Sequence, residues 1–190
     1  MLLLVGLGNP GSNYTNTRHN IGFKIIDAIN SHFKLSKQKP TFKGLLTTGN
    51  IESKKIYAIK PLTFMNNSGT AIKELIDYFK IDAKDVFVFH DDMDIDFGKI
   101  KAKFGGSSAG HNGIDSIDKF IGKDYSRVRV GIGHPKQKKK VNNHVLEDFK
   151  EDEEEKIKEI TDNIVKLIPT LIEKKIDLFS SKVNQNLNGI

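Results

Sequence analysis

The chain has 190 residues, 37% of them hydrophobic and 28% charged, with a formal net charge of +6 at pH 7. That length and balance fit one globular domain with a sizeable core and exclude a disordered chain. No stretch is long and apolar enough to span a bilayer, and the lack of cysteine removes disulfides, thiol nucleophiles and thiolate metal sites together.

Leu2–Leu7 is apolar and ends in the turn Gly8-Asn9-Pro10-Gly11 with no basic segment before it, so it reads as a first core strand and not as a signal peptide. Ile21, Ile25, Ile26, Ile29 and Phe33 then recur at a helical period. Leu45–Ile51 and Lys55–Ile59 read as strands on either side of Glu52-Ser53-Lys54. Asn66 or Ser68 is placed to cap a helix that reaches Phe79 through Ile72, Leu75 and Ile76. Val86–Phe89 is short and wholly apolar, the mark of a buried central strand. Lys99–Phe104 alternates lysine with Ile100, Ala102 and Phe104, a strand with one wet face. Asn112–Ile121 reads as helix and Val128–Ile132 as strand. From Glu151 the spacing Ile157, Ile160, Ile164, Leu167, Ile168, Leu171 predicts a helix that Pro169 should kink or divide. The acidic residues 151–155 suit its N-terminal dipole. The last ten residues carry little pattern and are expected to be mobile. Interleaved strands and helices predict an α/β fold, one domain over residues 1–190, with a twisted mixed and largely parallel sheet flanked by helices.

Gly6, Gly8 and Gly11 reproduce the spacing G-x-G-x-x-G directly after the first strand, which raises a dinucleotide-binding loop. Such a loop needs its helix to begin at the glycines, so that the first N–H groups face a pyrophosphate. Here Pro10 interrupts the motif and residues 12–20 are polar and aperiodic. The nearest acidic residue, Asp27, falls inside the next helix and not at the end of a second strand. The dinucleotide reading fails on context, and no cofactor is expected. What remains is a turn and a polar loop that carries Tyr14, Arg18, His19 and Asn20 beside Asn9.

That segment, GLGNPGSNYTNTRHNIGF, resembles the N-terminal signature of bacterial-type peptidyl-tRNA hydrolases. KPLTFMNNSG at 60–69, HDDMD at 90–94, AGHNGIDSI at 109–117 and RVRVGIGHP at 127–135 follow in that family's order. The likeness runs from Val5 to at least Val145. It departs at Ser107-Ser108-Ala109, where the family more often has a glycine-rich loop, but His111 and Asn112 stay in register.

The resemblance implies an enzyme that cleaves the ester between a peptide and the 3′-terminal ribose of tRNA, using water directly and no metal. A cytoplasmic monomer that binds tRNA and no membrane is expected. This chemistry needs a base, donors for an oxyanion and a surface for RNA. His19 is the candidate base, since an imidazole with an ordinary pKa near ~6.5 is neutral much of the time at pH 7. The resemblance makes Asp91 its partner, a carboxylate that would fix the tautomer and stabilise the imidazolium. Asp91 follows the strand Val86–Phe89, and strand carboxyl ends are where open α/β sheets place ligands.

Asn9, Asn66 and Asn112 lie in three separate motifs, and an amide both donates and accepts without charge. On residue type alone, turn and helix-cap roles account for all three. The resemblance implies that Asn9 checks whether the amino group is acylated, while Asn66 and Asn112 bind substrate near the ester. A free aminoacyl-tRNA presents an ammonium where the substrate presents an amide, and mispairing a desolvated polar group costs roughly 1–3 kcal/mol. Tyr14 and Phe64 are candidates to stack on 3′-terminal nucleotides. Lys103, Arg129 and the run Lys136, Lys138, Lys139, Lys140 are candidates for tRNA phosphates, although a solvated basic face accounts for that run equally well.

Three other readings compete. Gly106-Ser107-Ser108-Ala109-Gly110 matches G-x-S-x-G, with Asp118 and then His134 or His144 downstream, the order of a serine esterase of α/β-hydrolase type. The strand before it alternates with lysine, however, whereas a nucleophile elbow follows a buried central strand. His90, Asp91, Asp92, Asp94 and Asp96 are dense enough to suggest Mg²⁺ or Mn²⁺, but extended backbone would split Asp91 from the other carboxylates. A tRNA-binding protein without activity would have no need of His19 paired with Asp91.

Overall fold

Alternation along the first strand sorts the molecule into two layers. In the computed structural model, which describes residues 1–135 and 141–189, β1 (Leu2–Gly6) sends Leu2 and Leu4 to one face and Leu3 and Val5 to the other, all buried. A strand buried on both faces belongs in the middle of a parallel sheet. The neighbours of β1 are β4 (Lys54–Pro61) and β5 (Val86–Asp92), both parallel to it.

The remaining strands are β2 (Lys39–Thr41), β3 (Gly44–Ile51), β6 (Ile100–Phe104) and β7 (Ser126–Gly131). Together they form a seven-stranded sheet in the order β2-β3-β4-β1-β5-β7-β6. The four central strands are parallel, and antiparallel strands border them on both sides.

Helices α1 (Ile21–His32), α5 (Glu151–Ile172) and α6 (Ile176–Leu187) cover the face that holds Leu2, Leu4, Phe87 and Phe89. Helices α2 (Ser68–Phe79) and α3 (Asn112–Ile121) cover the face that holds Leu3, Val5, Val86 and Val88. A single turn, α4 (Val141–His144), precedes the chain's return toward α5. Alternation along β5 thus directs Asp91, like Phe87 and Phe89, toward α1, and His90, like Val86 and Val88, toward α3.

The approach of α1 to the sheet depends on glycine. A Cβ at Gly22 would meet Leu7 N at 2.3 Å and Phe89 O at 2.4 Å, so the first turn of α1 lies directly on the ends of β1 and β5. The short 3₁₀ turn Arg18–Asn20 just before α1 is thereby set beside the C-terminal end of β5.

Four sequence expectations need correction. The strand predicted to end at Phe89 runs on to Asp92, because pairing with β7 continues through Asp92 and Gly131 after the apolar residues stop. Neither Asn66 nor Ser68 caps α2: Asn67 is the N-cap residue and makes no side-chain cap bond. Helix α5 is not divided at Pro169 but runs on to Ile172: the proline removes one N–H bond, and burial of Ile168, Leu171 and Ile172 around it holds the last turn against the core. Last, α6 reaches Leu187 and buries Phe179, Val183 and Leu187 where little pattern was expected. Asn184 bonds both the N–H and the C=O of Ile100, and Ser180 accepts from the N–H of Ala102, so α6 covers an otherwise open sheet edge.

Candidate active site

His19, in the turn before α1, and Asp91, at the end of β5, meet: Nδ1 of His19 lies 2.8 Å from Oδ1 of Asp91. Both are buried, at 7% and 1% exposure. A carboxylate accepts only, so the His19 proton sits on Nδ1 and Nε2 keeps its lone pair. Burial opposes charge on His19, but attraction to Asp91 and their hydrogen bond outweigh it and raise the imidazole pKa above 6.5. For Asp91, burial alone would raise the pKa; the adjacent imidazoles reverse this and hold the carboxyl well below the usual range. The backbone N–H of His19 donates to the Val145 carbonyl at 2.8 Å, and that of Arg18 to Glu147 at 3.0 Å. Arg18 also bonds the carbonyls of Glu147 and Asp148 and the carboxylate of Glu153 in α5, which clamps the 145–148 segment against the turn.

Asn9 is fixed by a reciprocal amide pair. Asn20 Oδ1 accepts the Asn9 N–H at 2.8 Å, and Asn20 Nδ2 donates to the Asn9 carbonyl at 2.9 Å. The Asn9 side-chain oxygen accepts the Met65 N–H at 2.8 Å, which leaves the Nδ2 donor for the cavity. That cavity measures about 690 Å³, and Asn9, His19, Phe64, Asn66, Asp91 and Asn112 all line it, with Val145 and Leu146 on one wall.

A fixed imidazole with a free lone pair, set among neutral amides at the carboxyl end of a parallel sheet, suits hydrolysis by activated water. The family model described as peptidyl-tRNA hydrolase matches residues 3–189. The chain belongs to the peptidyl-tRNA hydrolase family. It is 71% identical to the peptidyl-tRNA hydrolase of Pelagibacter ubique (strain HTCC1062), an alignment covering 97% of this chain and 99% of that one. Its identity to the peptidyl-tRNA hydrolase of Ehrlichia canis (strain Jake) is 46%, over 97% and 95% of the two chains. The crystal structure of peptidyl-tRNA hydrolase from Acinetobacter baumannii superposes with a TM-score of 0.90 at 34% identity, over 97% of this chain and 94% of that one.

Of the other candidates, Phe64 lines the cavity, whereas Tyr14, Lys103 and Arg129 are not among its lining residues. Phe64 is half exposed, and the Tyr14 ring meets it edge-on at 6.4 Å. Arg129 on β7 donates from Nε to Asp92 Oδ2 at 2.7 Å, and Asp92 itself lines the cavity. Lys103 on β6 lies against Gly106, where a Cβ would come within 2.4 Å of its Nζ. Partial burial, followed by Arg129 and Arg127, lowers the Lys103 pKa. The run Lys136–Lys140 lies outside the described residues.

The serine reading does not assemble. Ser108 lines the cavity, but Asp118 is taken by Tyr125 and Arg127. His134 turns to Asp94, and His144 to the Ile132 carbonyl. Strand β6 is moreover an antiparallel edge strand, not the central strand a nucleophile elbow requires. The acidic run scatters as well, with Asp92 on Arg129 and the Asp94 N–H, and Asp94 beside His134. Among the described residues, the set that does converge is His19, Asp91 and His111, whose ligand atoms lie within 4.8 Å of one another. An ion bound at the facing atoms would have to displace two hydrogen bonds to Asp91.

Sequence reasoning missed His111 as a partner of Asp91 and Asn20 as the clamp on Asn9. The one available signal was His111 at a helix N-cap, a place that Ser, Thr, Asp or Asn usually fills.

Proposed function

We propose that the protein hydrolyses the ester between a peptide and the 3′-terminal ribose of tRNA, acting as a cytoplasmic monomer on the acceptor end, without metal or covalent intermediate. The observation that carries this reading is His19, bound to Asp91 through Nδ1 with Nε2 free, inside a cavity lined by Asn9, Asn66 and Asn112. Water attacks the ester carbonyl and gives its proton to His19 Nε2. The negative oxygen of the tetrahedral intermediate is stabilised by amide N–H donors from Asn66 and Asn112. Collapse breaks the bond to the ribose oxygen, which takes the proton back from His19; the peptide acid and free tRNA leave. The ionised Asp91 stabilises the imidazolium throughout, and base help of this kind contributes roughly 10²–10⁴-fold, or about 3–5 kcal/mol.

Asn9 offers Nδ2–H to a peptide carbonyl, an arrangement that disfavours an ammonium in the same place. Phe64 and Tyr14 take up the last bases by stacking, and Lys103 with Arg129 binds a backbone phosphate.

The test is hydrolysis of an N-acetylaminoacyl-tRNA in EDTA by the wild type, His19→Ala and Ser108→Ala. Turnover by the wild type and Ser108→Ala, with loss of roughly 10²–10⁴-fold in His19→Ala, is expected. Loss confined to Ser108→Ala, or to EDTA-treated wild type, would overturn the reading. Tethering of the ester by binding alone is tested in parallel: tRNA affinity should be nearly unchanged in His19→Ala.

A further inference from the structure

Asp91 serves two histidines through one oxygen. Oδ1 accepts Nδ1–H of His19 at 2.8 Å and Nε2–H of His111 at 3.0 Å, and the two rings stand 4.9 Å apart. The state of His111 is set at both nitrogens. Its Nδ1 accepts the N–H groups of Gly113 and Ile114 at 3.2 and 3.3 Å, so its single proton is on Nε2 and the ring is neutral. Behind it, His90 packs edge-on against the His111 ring at 4.7 Å and donates to the Asp91 backbone carbonyl at 2.7 Å; burial keeps His90 itself neutral.

An oxygen that accepts two N–H donors divides its charge between them, in surroundings where water does not dilute the effect. Resting on the hydrolase reading above, we propose that His111 is a positioning residue for the water-activating pair: by sharing Oδ1 it holds Asp91 to one orientation and tempers the pull of the carboxylate on the His19 proton. The other charges packed around His19 are engaged elsewhere. Asp92 of β5 holds Arg129 of β7, Arg18 binds Glu153 of α5 and the carbonyls of Glu147 and Asp148, and Lys24 of α1 meets Glu154. Among the described residues, His19 and His111 are the side chains bonded to Oδ1.

Two substitutions separate this role from helix capping. An asparagine amide reaches about where His Nδ1 lies, so His111→Asn keeps a cap for Gly113 and Ile114 and loses the donor to Asp91. A glutamine amide reaches about where Nε2 lies, so His111→Gln keeps that donor and loses the cap. The experiment follows the His19 ring by NMR against pH in the wild type and both variants, with the pH profile of kcat/KM on N-acetylaminoacyl-tRNA alongside. In His111→Asn the His19 titration should rise by about half a pH unit or more, with the acid limb of kcat/KM moving equally, while His111→Gln stays near the wild type. A titration that stays or falls in His111→Asn, or that shifts equally in both variants, would reduce His111 to a helix cap. The NMR titration needs no substrate. A wild type inert toward the ester would therefore sink the hydrolase reading and still leave the shared carboxylate tested.

Discussion

Two opposed effects meet at His19: burial disfavours its imidazolium, Asp91 favours it, and Asp91 prevails. Only the neutral ring takes a proton from water, so kcat/KM should fall as pH drops through the raised value, with a midpoint above ~6.5. Asp91→Asn removes the attraction and leaves the burial. Its midpoint should lie below ~6.5 and its rate at pH 7.5 should fall roughly 10²–10⁴-fold, which a pH–rate series on both proteins checks in sign and size. The orientation of Asn9 gives a second prediction. Asn9→Asp retains an acceptor for the Met65 N–H and turns the atom facing the cavity from donor to acceptor. Its preference for N-acetylated over free aminoacyl-tRNA should narrow by roughly 1–3 kcal/mol, with Asn9→Ala in between; the ratio of kcat/KM for the two substrates measures this. Residue chemistry and family likeness were enough to single out His19, Asp91 and Asn9. The likeness also paired His19 with Asp91 across 72 positions, which residue spacing alone could not, and neither revealed the clamp on Asn9, an amide 11 positions away. Such pairs leave no periodic trace.

At the scale of elements, the helix and strand that carry the site touch with no side chain between them. Gly22→Ala would drive a methyl group into Leu7 N and Phe89 O, backbone atoms that cannot turn aside. The expected loss is about 1–3 kcal/mol or more, hence roughly 2–12 °C in Tm, with catalysis falling further because the turn bearing His19 moves with α1. Thermal melts beside single-turnover rates test both parts. Elements with dense apolar periodicity, such as α1 and α5, are legible to within a residue or two. Helix α6 is not, because three apolar side chains at intervals of four are its whole buried stripe and its Asn184 and Ser180 act on the backbone of β6. The end of β5 escaped for a related reason: the ladder to β7 continues through polar residues that hydropathy cannot count.

Over the whole molecule, a net charge of +6 matters through where it is concentrated. Among the described residues Lys103 forms no ion pair and lies beside Arg129, which meets Asp92 at the cavity, whereas many other lysines are neutralised locally, among them Lys24, Lys60, Lys73 and Lys174. Removing Lys103 or Arg129 should therefore lower the slope of log affinity for tRNA against log salt by about 0.7–0.9 each, whereas Lys73→Ala should leave it unchanged. Fluorescence titrations across a salt series decide the point.

The order of the strands also dictates when, during synthesis, this molecule can begin to work. Its first strand is a middle strand, so β1 waits for β4 and β5 before either edge is satisfied. His19 waits for Asp91, and the turn that bears it is fastened only when residues 145–153 arrive to receive Arg18 and the His19 N–H. At roughly 5–20 residues per second, seconds separate the appearance of the base from the completion of its mount. A ribosome-bound chain is itself a peptidyl-tRNA. Late assembly therefore keeps most partial chains from carrying a finished site while each is still joined to its own tRNA.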